Sequence, residues 1–232
     1  MTMPYDVLPN TDPPPEHARL RRYMSIAKLV SMLATSSMYC APLLDFEDPL
    51  EGTVPVSFGA DGKALEIIEL MRRQTRASCW HEEEVESDAL WRLYGTKEEI
   101  VALGATVGRL RAAIDGLPER ISISRVRYID FASWVLPPGE VFYPAIYKRH
   151  AFAHEREVRI VVQPALGWEA LLAEGVPGRL PGLSIPVDVG TLIDEVWVSP
   201  YGGQWLLQAV RALVGSLGLS CAVEFSPLRV TA

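Results

Sequence analysis

Cysteine is scarce in this 232-residue chain: Cys40, Cys79 and Cys221 are the only three, and no two of them have the C-x-x-C spacing. A zinc ribbon or a dithiol redox motif therefore has no signal. Cys79 and Cys221 lie in apolar stretches and are expected as buried thiols of a reducing compartment. Positive charge is short as well. Lys and Arg total 22 against 29 Asp and Glu, a net charge of −7, which argues against a nucleic-acid grip spread over the whole surface. Local basic clusters remain at Arg19, Arg21 and Arg22, at Arg72, Arg73 and Arg76, and at Arg125 and Arg127, each read first as an exposed face. No apolar run reaches the roughly 20 residues that span a bilayer. The N-terminus shows no basic-then-apolar leader, so a cytoplasmic protein without membrane contact is expected.

The signatures of several enzyme classes are missing too. Nothing matches the phosphate loop G-x-x-x-x-G-K-[ST], no G-x-G-x-x-G follows a strand, and there is no G-x-S-x-G elbow. His150 and His154 stand four apart, a helical spacing for zinc. H-E-x-x-H is absent, however, and the chain turns into a strand between them, so no metal is expected.

What is present is a globular composition, 49% hydrophobic and 22% charged. Residues 1–18 contain Pro13, Pro14 and Pro15 in a row and read as an extended arm. Residues 19–232 read as a single α+β domain. Strands are expected over residues 20–24, 38–40, 76–81, 100–103, 155–162, 195–199 and 222–225. Residues 121–128 alternate apolar and polar and predict one half-exposed strand. Pro186 makes 183–187 an edge strand. Helices are expected over 26–33, 63–73, 87–94, 107–114, 140–150 and 204–217, with a helical turn at Asp48-Pro49 and a loop-rich excursion over 164–181. Hairpin-like neighbours mixed with single helices predict a mixed, mostly antiparallel split sheet flanked by helices.

Three polar strand segments stand out. The first holds Arg21, Arg22 and Tyr23, the second Ser78, Trp80 and His81, and the third Glu155 and Glu157. Side chains alternate along a strand, which places Glu155, Glu157 and Arg159 on one face. An arginine such as Arg22 can fork onto a diphosphate. The Ser78 hydroxyl can orient a ribose. A carboxylate, Glu157, can stabilise oxocarbenium-like charge at a sugar carbon, and Glu155 can position or deprotonate an acceptor. Tyr23, Trp80 and Trp91 can stack on a planar heteroaromatic ring.

Arginine, serine and Glu-x-Glu in that order on separate strands resemble the arginine–serine–glutamate ADP-ribosyltransferases. Longer blocks are similar to a bacterial family known as domain of unknown function 2971. These are Arg21-Arg22-Tyr23-Met24, Phe46-Glu47-Asp48-Pro49-Leu50-Glu51, Ser78-Cys79-Trp80, Trp91-Arg92-Leu93-Tyr94, and Lys148, Phe152, Glu155, Glu157 and Arg159. Glu47 stands where that family usually has Asn. The family name implies no activity. The transferase resemblance implies NAD as substrate, either for transfer of ADP-ribose to a protein or nucleic-acid acceptor or for hydrolysis as an NAD glycohydrolase, an ADP-ribosyltransferase-like fold, and a toxin or phage-defence effector, with a protein partner in a defence complex.

Two other readings use the same residues. In a non-catalytic sensor or adaptor, Asp48, Trp91, Tyr94, Glu155 and Arg159 form a structural polar network. In a metal-dependent nuclease, Asp48, Glu51, Glu155 and Glu157 surround a divalent ion.

Overall fold

A computed structural model describes residues 11–53, 62–83, 85–114, 117, 120–134, 144–163 and 180–230. The Pro137-Pro138-Gly139 loop, the start of the expected 140–150 helix, most of the 164–181 excursion and most of the proline-rich arm lie outside these residues. In chain order the elements are β1 (Arg19–Ser25), α1 (Ile26–Thr35), β2 (Ser37–Pro42), α2 (Gly62–Gln74), β3 (Arg76–Glu82), α3 (Asp88–Leu93), β4 (Ile100–Thr106), α4 (Val107–Ala113), β5 (Arg120–Arg125), β6 (Arg127–Ile129), β7 (Tyr147–Arg149), β8 (Glu157–Gln163), β9 (Leu183–Pro186), α5 (Val189–Leu192), β10 (Glu195–Val198), α6 (Gln204–Ser216) and β11 (Ala222–Phe225). Short 3-10 turns occupy Leu43–Asp45, Lys97–Glu99, Pro144–Ile146 and His150–Glu155. Strand pairs β1·β3, β1·β4, β2·β3, β4·β10 and β5·β8 are antiparallel, against parallel β6·β7 and β10·β11. The architecture is α+β with mostly antiparallel pairing.

The chain divides into two compact units, one of Met1–Pro14, Tyr39–Cys79 and Gly116–Ser184, the other of Pro15–Met38, Trp80–Asp115 and Ile185–Ala232. In the first unit β8 is buried along its whole length and pairs with β5 from Arg125↔Val158 to Arg120↔Gln163 and with β3. The strand expected over 121–128 is two strands, because the pairing with β8 ends at Arg125 and β6 pairs with β7 instead. It is also not half-exposed: Ile121, Ser122, Ile123 and Ser124 are all buried. Small serines fit a covered face, and Asp12 lies against it. The Asp12 N–H donates to Ser124 Oγ at 3.0 Å, and the Arg125 N–H donates to the Asp12 carbonyl at 2.9 Å.

The described part of the expected 140–150 helix is a 3-10 turn followed by β7. The strand wins there because Tyr147–Arg149 ladders with Arg127–Ile129. Asp48-Pro49 opens a turn rather than a helix, with Asp48 Oδ1 accepting from Leu50 N at 3.1 Å and the Asp48 carbonyl from Glu51 N at 3.0 Å.

The second unit is built on β4, whose β-branched and small residues are buried on both faces apart from its last position. β1 ladders along it from Arg19↔Thr106 to Ser25↔Ile100, and β10 pairs with it over Glu195–Val198. α6 carries the chain from β10 to the parallel β11, the crossover that parallel strands require. α1 buries Leu29, Met32 and Leu33; of the residues expected at helical spacing, Ile26, Leu29, Val30 and Leu33, Val30 is exposed instead. Ser25 and Ser87 occupy the N-cap positions of α1 and α3 without side-chain cap bonds. Thr106 and Asp188 do cap, accepting amide hydrogens at the starts of α4 and α5. Of the cysteines, Cys40 is buried, Cys79 is of intermediate exposure as a residue although its thiol is enclosed, and Cys221 is of intermediate exposure, a correction to the expectation for that last residue.

Candidate active site

The first unit gathers most of the acidic candidates. Glu155 was expected to share a strand face with Glu157 and Arg159, but it ends a 3-10 turn, and Arg156 after it adopts φ 44°, in the left-handed region. That reversal takes Glu155 off the strand. Glu157 and Arg159 do share a face of β8, and both are buried, at 3% and 0% exposure. Arg159 Nη2 donates to Glu157 Oε2 at 2.8 Å and also to Glu51 Oε2, while its Nη1 donates to the Ala145 carbonyl at 2.7 Å. Lys148 Nζ reaches Glu155 at 2.8 Å and both Glu157 and Glu51 at 3.4 Å. At the rim, Arg149 Nε donates to Asp48 Oδ2 at 2.8 Å. Phe46 lies under the Arg159 guanidinium and Phe152 under the Lys148 ammonium.

Three carboxylates, Glu51, Glu155 and Glu157, thus share two cations, Lys148 and Arg159. Burial alone would raise the Glu157 carboxyl, but Arg159 and Lys148 overcome it and bring it down to about 2. Burial alone would depress the Lys148 ammonium, and Glu157, Glu51 and Glu155 hold it raised instead. Glu51 goes the other way: burial outweighs its two cations and the carboxyl is raised. Of Glu51 and Glu157, Glu51 is thus the readier to take a proton.

The β3 residue that meets Glu157 is Cys79, whose thiol is pushed up by burial and by that carboxylate. Ser78, its neighbour, points to the opposite face of the strand. The Ser78 side chain is buried, and its hydroxyl has no hydrogen-bond partner among the described residues.

The second unit holds the remaining candidates. Tyr23 is buried, its hydroxyl donates to Glu83, and its ring packs edge-on against Trp91 with centroids 4.9 Å apart. Burial and the bond to Glu83 raise the Tyr23 phenol. Tyr94 Oη and His81 Nε2 are 2.8 Å apart, and both rings pack against Tyr23. The Trp91 indole donates to Glu86 at 2.7 Å. Arg21 is buried, pairs with Glu83 and Glu195 at 2.9 Å each, and lies over Trp197. Arg22, on the other face of β1, is half-buried with its guanidinium 5.9 Å from the centre of the Trp80 ring. Trp80 and Trp91 are 0% exposed, so in this arrangement neither offers a free ring face for stacking.

The structure thus brings together Glu155 and Glu157 in one group, Tyr23 and Trp91 in a second, and Arg22 and Trp80 in a third. Lys148, Cys79 and Tyr128 join Glu157 without having been singled out as site residues, and Glu51, singled out only for a divalent ion, joins it as well. Lys148, Glu51 and Cys79 all lie within the motif blocks, which was their signal. Tyr128 left none. Asp48, Glu51, Glu155 and Glu157 each face a cationic side chain. Among the described residues no group of three or more His, Cys, Asp or Glu is arranged to hold a metal ion. Nor is any helix among them long and apolar enough to cross a membrane.

No family model matches the chain. Over 88 residues it is 28% identical to the glucose-specific EIICBA component of the PTS system of Mycoplasma pneumoniae, a match to 38% of this chain that spans only 9% of that protein. Among solved structures it is similar to DarT of Thermus sp. 2.9 in complex with NAD+, at 13% identity and a TM-score of 0.45, covering 91% of this chain and 96% of that one. The complex of the same protein with carba-NAD+ gives 13% identity and a TM-score of 0.42 over 92% and 97% of the two chains. Its complex with ADP-ribosylated ssDNA gives 13% and 0.45 over 93% and 97%.

Proposed function

We propose that this protein is an ADP-ribosyltransferase that uses NAD as substrate, with hydrolysis of NAD as its reaction when no acceptor is present. The observation that carries the reading is Glu157, a carboxylate at the start of β8 that is buried yet held ionised by Arg159 and Lys148. A fixed negative charge removed from water is what a developing oxocarbenium ion requires. In this scheme the bond between ribose C1′ and the nicotinamide nitrogen breaks and its electron pair leaves with nicotinamide. Glu157 stabilises the positive charge at C1′. Glu155, the less buried of the pair, takes the proton of the acceptor nucleophile as the new bond to C1′ forms. The unpartnered Ser78 hydroxyl, in the same unit as Glu157, supplies a hydrogen bond for a ribose. A toxin or phage-defence effector, acting on a protein or nucleic acid, is the setting within the same proposal. The blocks similar to domain of unknown function 2971 belong to it as well.

Incubation with NAD labelled in its adenylate phosphate tests the reading. Label should move to protein or to single-stranded nucleic acid when these are supplied, and to free ADP-ribose when they are not. Intact NAD in every mixture would overturn it. The near-complete burial of Glu157 and Arg159 favours one other reading, a non-catalytic module whose network only holds the fold. It requires E157Q to unfold the protein and the wild type to leave NAD untouched.

A further inference from the structure

The position of Lys148 has a consequence for the carboxylate pair. β7 is three residues long and sets Lys148 opposite Tyr128 of β6. From these neighbouring positions the two-stranded ladder reaches the start of β8 twice. Tyr128 Oη accepts the Glu157 N–H at 2.8 Å, and Lys148 Nζ reaches Glu157 Oε2 at 3.4 Å. The same ammonium lies 2.8 Å from Glu155 and 3.4 Å from Glu51. Glu155 and Glu157 are separated by the left-handed Arg156, so the backbone of β8 does not bring their oxygens to one point. A single ammonium does. A compact charge with three rotatable donors can serve three carboxylates in three directions, which a planar guanidinium fork cannot.

We infer that Lys148 is the positioning residue of the Glu155–Glu157 pair, fixing where both carboxylates present their oxygens. As a statement about turnover the inference rests on the NAD reading above. The groups facing Glu157 are Arg159 on its own strand, Cys79 on β3, Tyr128 on β6 and Lys148 on β7, with Glu51 and Glu155 on the same ammonium.

The test compares K148R and K148M with wild type by ¹³C titration of the glutamate side-chain carboxyls and by the pH profile of nicotinamide release. K148R keeps the charge and should shift the Glu155 and Glu157 carboxyl signals, and lower kcat about 10-fold or more with KM within about twofold. K148M should move the titration of Glu157, and the acid limb of the profile, upward by about one pH unit or more. Carboxyl signals, titration and kcat unchanged in K148R would overturn the inference whether or not K148M folds. A wild type that releases no nicotinamide would remove the NAD reading alone, since the carboxyl signals still decide what Lys148 positions.

Discussion

Glu157 keeps its charge in the interior because Arg159 and Lys148 bring theirs in beside it. This has a pH signature of known sign. Its carboxyl falls from an ordinary 4.5 to about 2 on folding, so it contributes stability that is fully present above about pH 4.5 and is lost as pH falls toward 2. The shift corresponds to roughly 3 kcal/mol. Urea unfolding followed from pH 7 to pH 2.5 should show that loss, and E157Q should flatten it. Glu51, raised by burial, acts oppositely: its contribution is full at low pH and fades as pH rises through its folded value, which partly offsets the acid loss. At this scale alternation made Glu157 and Arg159 legible in the sequence, and their shared face is as read. Glu155 was not legible. Its displacement depends on Arg156 entering the left-handed region, which a non-glycine residue adopts only when its surroundings impose it.

Among the elements, the long runs were the readable ones. β4 and β8 follow from their β-branched runs and helices α1 and α6 from apolar residues at helical spacing. β6 and β7 were missed because three residues carry too little pattern, and their pairing is tertiary. A close approach between elements gives a further prediction. A methyl on Gly104 of β4 would stand 2.6 Å from Glu195 Cγ and 3.2 Å from Arg21 Nη1, so that Gly104 makes room for the Arg21–Glu195 pair. G104A should destabilise the protein by about 1–3 kcal/mol and lower Tm by roughly 2–4 °C per kcal/mol, read by thermal unfolding. An unchanged Tm would mean that Glu195 can turn away without cost.

At the scale of the whole molecule, the α+β class and the mostly antiparallel pairing were legible because strands and helices follow one another without the regular β-α-β rhythm of a doubly wound sheet. The division into two compact units was not. Three of the crossings between units fall inside strands, β2, β3 and β9, and the first two have no proline- or glycine-rich linker to mark them. The candidate residues divide accordingly, Ser78, Glu155 and Glu157 in one unit and Arg22, Tyr23, Trp80 and Trp91 in the other. The most direct measurement is a ¹H NMR time course of NAD with the intact wild-type protein and with E157Q, the fold of each confirmed beforehand. Free nicotinamide should accumulate with wild type and at least about 100-fold more slowly with E157Q; intact NAD with folded wild type, or equal release by E157Q, would contradict the assignment of Glu157 to NAD cleavage.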